Sequence, residues 1–123
     1  MARILIVEDQ EDNRMIMRDV LSSAGFDLIE AVNGEDGVKL AHSERPDLIL
    51  MDIQLPIIDG YEATRQIKGS TVLKSIPIIA VTSYGLSVAQ ARAAGCDGYV
   101  SKPFSPRELL ATVREYLPDA AGS

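Results

Sequence analysis

PDLILMDIQLPIIDG, residues 46–60, is an apolar run that closes on a carboxylate and then breaks at a proline and a glycine. The segment from Leu48 to Met51 is short, continuous and bounded by turn residues, so it reads as a strand buried on both faces, with Asp52 at its end. The pattern recurs on either side. Arg3 to Val7 leads into Glu8 and Asp9, Pro77 to Thr82 ends on a hydroxyl, Gly98 to Ser101 precedes Lys102, and Asp27 to Val32 supplies a fifth run.

Between these runs the apolar period becomes helical. Met17, Val20, Leu21 and Ala24 stand at i, i+3, i+4 and i+7, and Leu109, Val113, Tyr116 and Leu117 repeat the stripe near the C-terminus. Asn33, Asp59, Ser87 and Ser105 are candidate N-caps. Glu62, Gln90 and Glu108 lie three residues after the last three, as a capping box requires. Pro106 suits a first helical position, and Gly25 and Gly95 suit helix ends. Strict alternation of five strands and five helices implies parallel strands joined by right-handed crossovers. The predicted fold class is α/β: a flavodoxin-like (βα)5 three-layer sandwich with a five-stranded parallel sheet in the order 2-1-3-4-5.

The 123 residues predict one domain over 1–123, frayed from Pro118 to Ser123. A composition of 46% hydrophobic and 24% charged residues is that of an ordinary globular chain. Net charge of -6 and a pI near 4.7 argue against direct binding to nucleic acid or to an anionic membrane. No apolar stretch has the length of a membrane span, and Cys96 has no partner for an internal disulfide, so the expected location is cytoplasmic. Cys96 is expected to be a small packed hydrophobe, and His42, beside Ser43, Glu44 and Arg45, a solvated surface residue.

Parallel strands align their carboxyl ends, and open α/β sheets hold ligands there, at the point where the strand order reverses. Glu8, Asp9, Asp52, Thr82 and Lys102 therefore converge. Three carboxylates in one crevice repel each other, and a divalent cation removes that conflict. All-oxygen ligands without a nearby His or Cys favour Mg²⁺, which keeps positions open for phosphate oxygens. Asp9 and Asp52 are the expected direct ligands, with Glu8 direct or through water. Asp52 is also the best nucleophile for an acyl phosphate, Lys102 supplies charge to the transferring oxygens, and Thr82 can donate its hydroxyl.

These residues, in the stretches ILIVED, PDLILMDIQLPIIDGYE, IPIIAVTS and GCDGYVSKPF, resemble the receiver domain of two-component response regulators from about Arg3 to Leu117. The resemblance implies that Glu8 and Asp9 are the acidic pair for Mg²⁺, that Asp52 is the phosphoacceptor, and that Thr82 and Lys102 contact the phosphoryl group. It also implies that the Gln54 carbonyl is a metal ligand and that Pro56 and Gly60 belong to the loop after the phosphorylation strand. Gln54, Ser83 and Tyr84 would flank the site. Pro103 would follow a cis peptide bond, and Tyr99 would be an aromatic switch coupled to Thr82, a reading preferred to that of an ordinary half-buried strand tyrosine. The implied function is that of a stand-alone response regulator. It would take a phosphoryl group from a phosphohistidine on a sensor histidine kinase or phosphotransfer protein, catalyse its own phosphorylation and slow dephosphorylation, and switch a downstream protein contact or a homodimer through the helix 4–strand 5–helix 5 face.

Thr82 and Lys102 stand about two residues closer than in the family pattern, and Ser87-Val88-Ala89-Gln90 replaces its charged stretch. With strand ends still aligned, the loss falls on helix 4, which is expected to be short and mobile, about two turns before Gly95. Leu86 and Val88 become a patch for a partner or part of the core. Other functions remain open. A Mg²⁺-dependent aspartyl phosphohydrolase would want an acid two residues after Asp52, where Gln54 stands. A flavin module would want an uncharged phosphate loop in place of Glu8-Asp9. A phosphorylation-independent adaptor would need none of these residues.

Overall fold

The computed structural model describes residues 2–83 and 88–117. Along these the elements are β1 (Arg3–Val7), α1 (Glu11–Ser23), β2 (Asp27–Ala31), α2 (Gly34–Glu44), β3 (Leu48–Asp52), α3 (Gly60–Lys68), β4 (Ile78–Thr82), α4 (Val88–Ala94), β5 (Gly98–Ser101) and α5 (Pro106–Tyr116). The strands form one parallel sheet in the order β2-β1-β3-β4-β5, as the alternation predicts.

Side chains alternate across a strand, and this chain fills both faces. Ile4, Ile6, Leu48, Leu50, Ile79 and Val81 pack with Met17 and Leu21 of α1 and Leu109 and Val113 of α5. Leu5, Val7, Ile49, Met51, Ile78 and Ala80 face the other way, toward Ala41 of α2, Ala63 and Ile67 of α3, and Ala91 of α4. Every residue of β3 and β4 is buried, which explains the continuous apolar runs. Cys96 joins the second cluster and lies 3.7 Å from Thr64 Oγ1, with burial pushing its thiol up from its ordinary range.

Local signals set most boundaries. Asn33 Oδ1, Asp59 Oδ1 and Ser105 Oγ accept from the backbone N–H three residues on, at 2.7, 2.9 and 3.0 Å. The return half of the expected capping box does not form at Glu62, whose carboxylate accepts from Arg65 and Gln66 instead. Gly25 and Gly95 end α1 and α4 at φ of 96° and 114°, a region that disfavours a Cβ. Three strand limits differ from expectation, β3 by taking in Asp52 as its last residue. β2 stops at Ala31, which pairs with the last residue of β1, so Val32 has no ladder partner there. β4 starts at Ile78, after a proline that lacks the N–H the ladder uses.

Among the described residues α4 spans seven, about two turns, in keeping with the short helix expected. The proposed cap Ser87, together with Tyr84, Gly85 and Leu86, lies outside the described residues, as does the tail from Pro118 to Ser123. No helix among the described residues is long and apolar enough to cross a membrane.

Candidate functional site

Register brings the reactive residues together. Val7 pairs with Met51, so Glu8 follows at the level of Asp52, while Asp52 pairs with Val81 and Thr82 with Ser101. Lys102 N–H donates to the Thr82 carbonyl at 2.6 Å, which turns the lysine back over the strand ends. One carboxylate oxygen each from Glu8, Asp9 and Asp52 then fall within 4.8 Å of one another.

Asp52 is 1% exposed and its two oxygens are held differently. Oδ1 accepts the Gln54 backbone N–H at 3.1 Å, and Oδ2 accepts from Lys102 Nζ at 3.1 Å. The loop beyond Asp52 can approach because of Gly60, where a Cβ would lie 2.2 Å from the Asp52 carbonyl oxygen. Glu8 is fully buried and its Oε2 accepts the Gln10 N–H at 3.1 Å. Its Oε1 sits 3.0 Å from Lys102 Nζ, an ion-pair distance, yet among the described residues no donor meets that oxygen in hydrogen-bonding geometry.

The electrostatics follow from three carboxylates sharing one ammonium. Burial, with Asp52 alongside, raises the Glu8 carboxyl from its ordinary 4.5 to about 7, against the opposing Gln10 and Lys102 contacts. For Lys102, burial disfavours the charged form, but Glu8 and Asp52 outweigh it and hold the ammonium above its ordinary range. A buried carboxylate oxygen without a donor, among oxygen ligands alone, fits a hard divalent cation. Glu8, Asp9 and Asp52 are the residues able to hold it.

Thr82 is 2% exposed at the end of β4. Ser83 Oγ donates to Gln54 Oε1 at 3.0 Å, linking the loops after β3 and β4. The Lys102–Pro103 peptide bond is cis. Tyr99 is 45% exposed on the edge strand β5, away from the strand-end cluster, and Tyr84 lies outside the described residues. Sequence reasoning passed over Arg14, whose guanidinium reaches the Glu8 carbonyl, and Glu30, whose carboxylate accepts from Arg14. The available signal was an arginine one turn into the helix after the acidic pair. It also passed over Ile57, 70% exposed with φ of 75°, an unusual backbone for a β-branched residue.

Residues 4–114 match the family described as response regulator receiver domain. The chain is 42% identical to the polar-differentiation response regulator DivK of Brucella anthropi over 119 residues, 95% of this chain and 97% of that one. It is 40% identical to the DivK of Brucella ovis over the same shares. Among solved structures it resembles the receiver domain of sensor histidine kinase PA1611 from Pseudomonas aeruginosa, crystallised with a magnesium ion coordinated in its active-site cleft, at a TM-score of 0.88 and 35% identity over 99% of this chain and 98% of that one. It also resembles the chemotaxis response regulator CheY4 of Vibrio cholerae, at a TM-score of 0.89 and 28% identity over 94% and 98%. With the strand order and the acidic crevice in agreement, this chain belongs to the response regulator receiver domain family.

Proposed function

We propose that Asp52 accepts a phosphoryl group from a phosphohistidine on a sensor histidine kinase or phosphotransfer protein, with Mg²⁺ as the cofactor. The observation that carries this reading is the buried Asp52 carboxylate, oriented by the Gln54 N–H and Lys102, beside the buried Oε1 of Glu8, which has Lys102 at ion-pair distance and no hydrogen-bond donor among the described residues.

Glu8, Asp9, Asp52 and the Gln54 carbonyl would hold the cation, which offsets the negative charge that a phosphoryl donor brings to an anionic nucleophile. An Asp52 oxygen forms the new bond to phosphorus as the phosphorus–nitrogen bond breaks, and that electron pair returns to the imidazole. Lys102 shifts its ammonium onto a transferred oxygen, and the Thr82 hydroxyl donates to another. Water later attacks phosphorus, releasing phosphate and restoring the Asp52 carboxylate. On this reading the chain catalyses its own phosphorylation and slow dephosphorylation, with Gln54 and Ser83 beside the site.

Movement of Thr82 toward the phosphoryl group would draw Tyr99 inward and alter the face built from the short, mobile α4, β5 and α5, changing contact with a downstream protein or a second copy. Tyr99 stands opposite Ala80, two residues before Thr82 on the neighbouring strand, which suits that coupling.

Incubation with acetyl phosphate and Mg²⁺ tests the acceptor by intact mass. The native chain gains one phosphoryl group and Asp52→Asn gains none; no gain by the native chain, or equal gain by the variant, overturns the assignment.

A further inference from the structure

Glu8 is held at more points than a metal-ligating carboxylate needs from its own turn. Its N–H donates to the Ala31 carbonyl at the end of β2 at 3.0 Å, and the Gln10 N–H binds its Oε2. Its carbonyl oxygen accepts from Arg14 Nη1 at 3.0 Å. The same guanidinium donates through Nε to Glu30 Oε1 at 3.1 Å, and Glu30 also accepts from Arg18 Nη1 at 3.1 and 3.2 Å. Arg14 is thereby the side chain that joins the turn after β1 to the edge strand β2. Its side chain is 16% exposed, against 41% for Arg18, which reaches Glu30 but makes no contact with Glu8.

We infer that Arg14, oriented by Glu30, is a positioning residue for the cation site: it fixes the Glu8 peptide so that Glu8 Oε1 and Asp9 are presented to Mg²⁺. This rests on the reading of Glu8, Asp9 and Asp52 as cation ligands. With the N–H tied to Ala31 and the carbonyl tied to Arg14, the peptide planes on both sides of the Glu8 Cα are anchored, and the Glu8–Asp9 plane, which leads to the second carboxylate, is the one that Arg14 holds. Partners of this kind behind metal ligands set ligand orientation and strongly affect affinity.

Charge and position predict opposite signs. Arg14 is a cation beside a site for a cation, so removal of its charge alone would tighten Mg²⁺ binding. Removal of a positioning contact loosens it. Arg18 supplies the control, because it carries the same charge to the same Glu30 without touching the turn.

The test is the Mg²⁺ dissociation constant of the full chain, measured by titration calorimetry at fixed ionic strength on the native protein and on Arg14→Ala, Arg14→Lys, Glu30→Gln and Arg18→Ala, with circular dichroism to confirm folding. Arg14→Ala should bind Mg²⁺ about tenfold more weakly or worse. Arg14→Lys should recover part of the loss, because an ammonium reaches the Glu8 carbonyl but not both acceptors at once. Glu30→Gln, which leaves Arg14 in place but loosens it, should weaken binding less than Arg14→Ala. Arg18→Ala should stay within about twofold of native. Unchanged or tighter binding by Arg14→Ala overturns the inference, as does an equal loss in Arg18→Ala. If Arg14→Ala does not fold, Arg14→Lys and Glu30→Gln carry the test, and native affinity in both overturns it. Failure of the native chain to bind Mg²⁺ would instead overturn the reading of the acidic cluster itself.

Discussion

At the amino end of the sheet, Lys68 Nζ donates to the carbonyls of Lys74 and Ile76 and to Asp97 Oδ2, at 3.1, 2.9 and 2.8 Å. Asp97 Oδ2 also accepts the Ile78 N–H at 2.9 Å, tying the starts of β4 and β5 together. Arg3 does the same for β1 and β3, meeting Glu44 with its guanidinium and Asp47 with its N–H. At the carboxyl end one ammonium serves Glu8 and Asp52 beside Asp9, and Glu8 Oε1 has no hydrogen-bond donor among the described residues. Both ends are charged and partly buried, but at the amino end every carboxylate named meets a donor. A mismatch of two negative charges is destabilising by itself, and it is also what gives a cation and a phosphoryl group something to bind.

If the amino end is structural, breaking it should cost the most. Asp97→Ala takes the carboxylate from the Lys68 ammonium, which keeps two carbonyl acceptors, and leaves the Ile78 N–H without its acceptor, and a loss of about 3 kcal/mol is expected in urea unfolding, with Mg²⁺ affinity unchanged. A loss of under about 1 kcal/mol would remove the contrast between the ends.

The carboxyl end should show its strain through pH. Without divalent cations, folded Glu8 holds its proton to about pH 7, whereas the unfolded chain releases it near 4.5. The unfolded state thus binds fewer protons across that window, and this contribution to stability is complete below 4.5 and lost as pH rises through about 7. The expected loss is on the order of 2 kcal/mol, read as the difference in pH dependence between the native chain and Glu8→Gln in EDTA. Parallel profiles would show that Glu8 carries no such penalty.

At neutral pH in EDTA, Glu8→Gln should itself raise stability by about 1 kcal/mol by relieving repulsion, while weakening Mg²⁺ binding. A lower melting temperature would mean that the Lys102 pairing outweighs the crowding. The smallest effects concern the backbone. Ile57, in the loop after β3, and Arg45, at the C-cap of α2, both have positive φ. Ile57→Gly should gain about 1 kcal/mol and Arg45→Gly about half that, since the β-branched residue is the more strained. Equal gains in thermal unfolding would show that branching does not decide the cost.

Much of this was open to reading in the sequence because it is local. The RILIV and LILMD runs state their burial, and Asn33, Asp59 and Ser105 cap helices through neighbours three residues away. The short path from Thr82 to Lys102 predicts the seven-residue α4. The strand-end residues Glu8, Asp9, Asp52 and Lys102 meet as expected, because parallel alignment follows from alternation alone. Arg14 and Glu30 could not be found this way, since they lie sixteen residues apart and meet only when β2 pairs with β1.

The sequence by itself therefore determined which side chains stand at the carboxyl ends of the strands and what chemistry that set can support. Those are consequences of periods two and 3.6 and of residue type. Only the tertiary structure decided how the charges are settled: matched around Lys68 and Asp97, and left in conflict around Glu8. Burial and partner geometry are sums over strands and helices distant in the chain, and no stretch of sequence contains them.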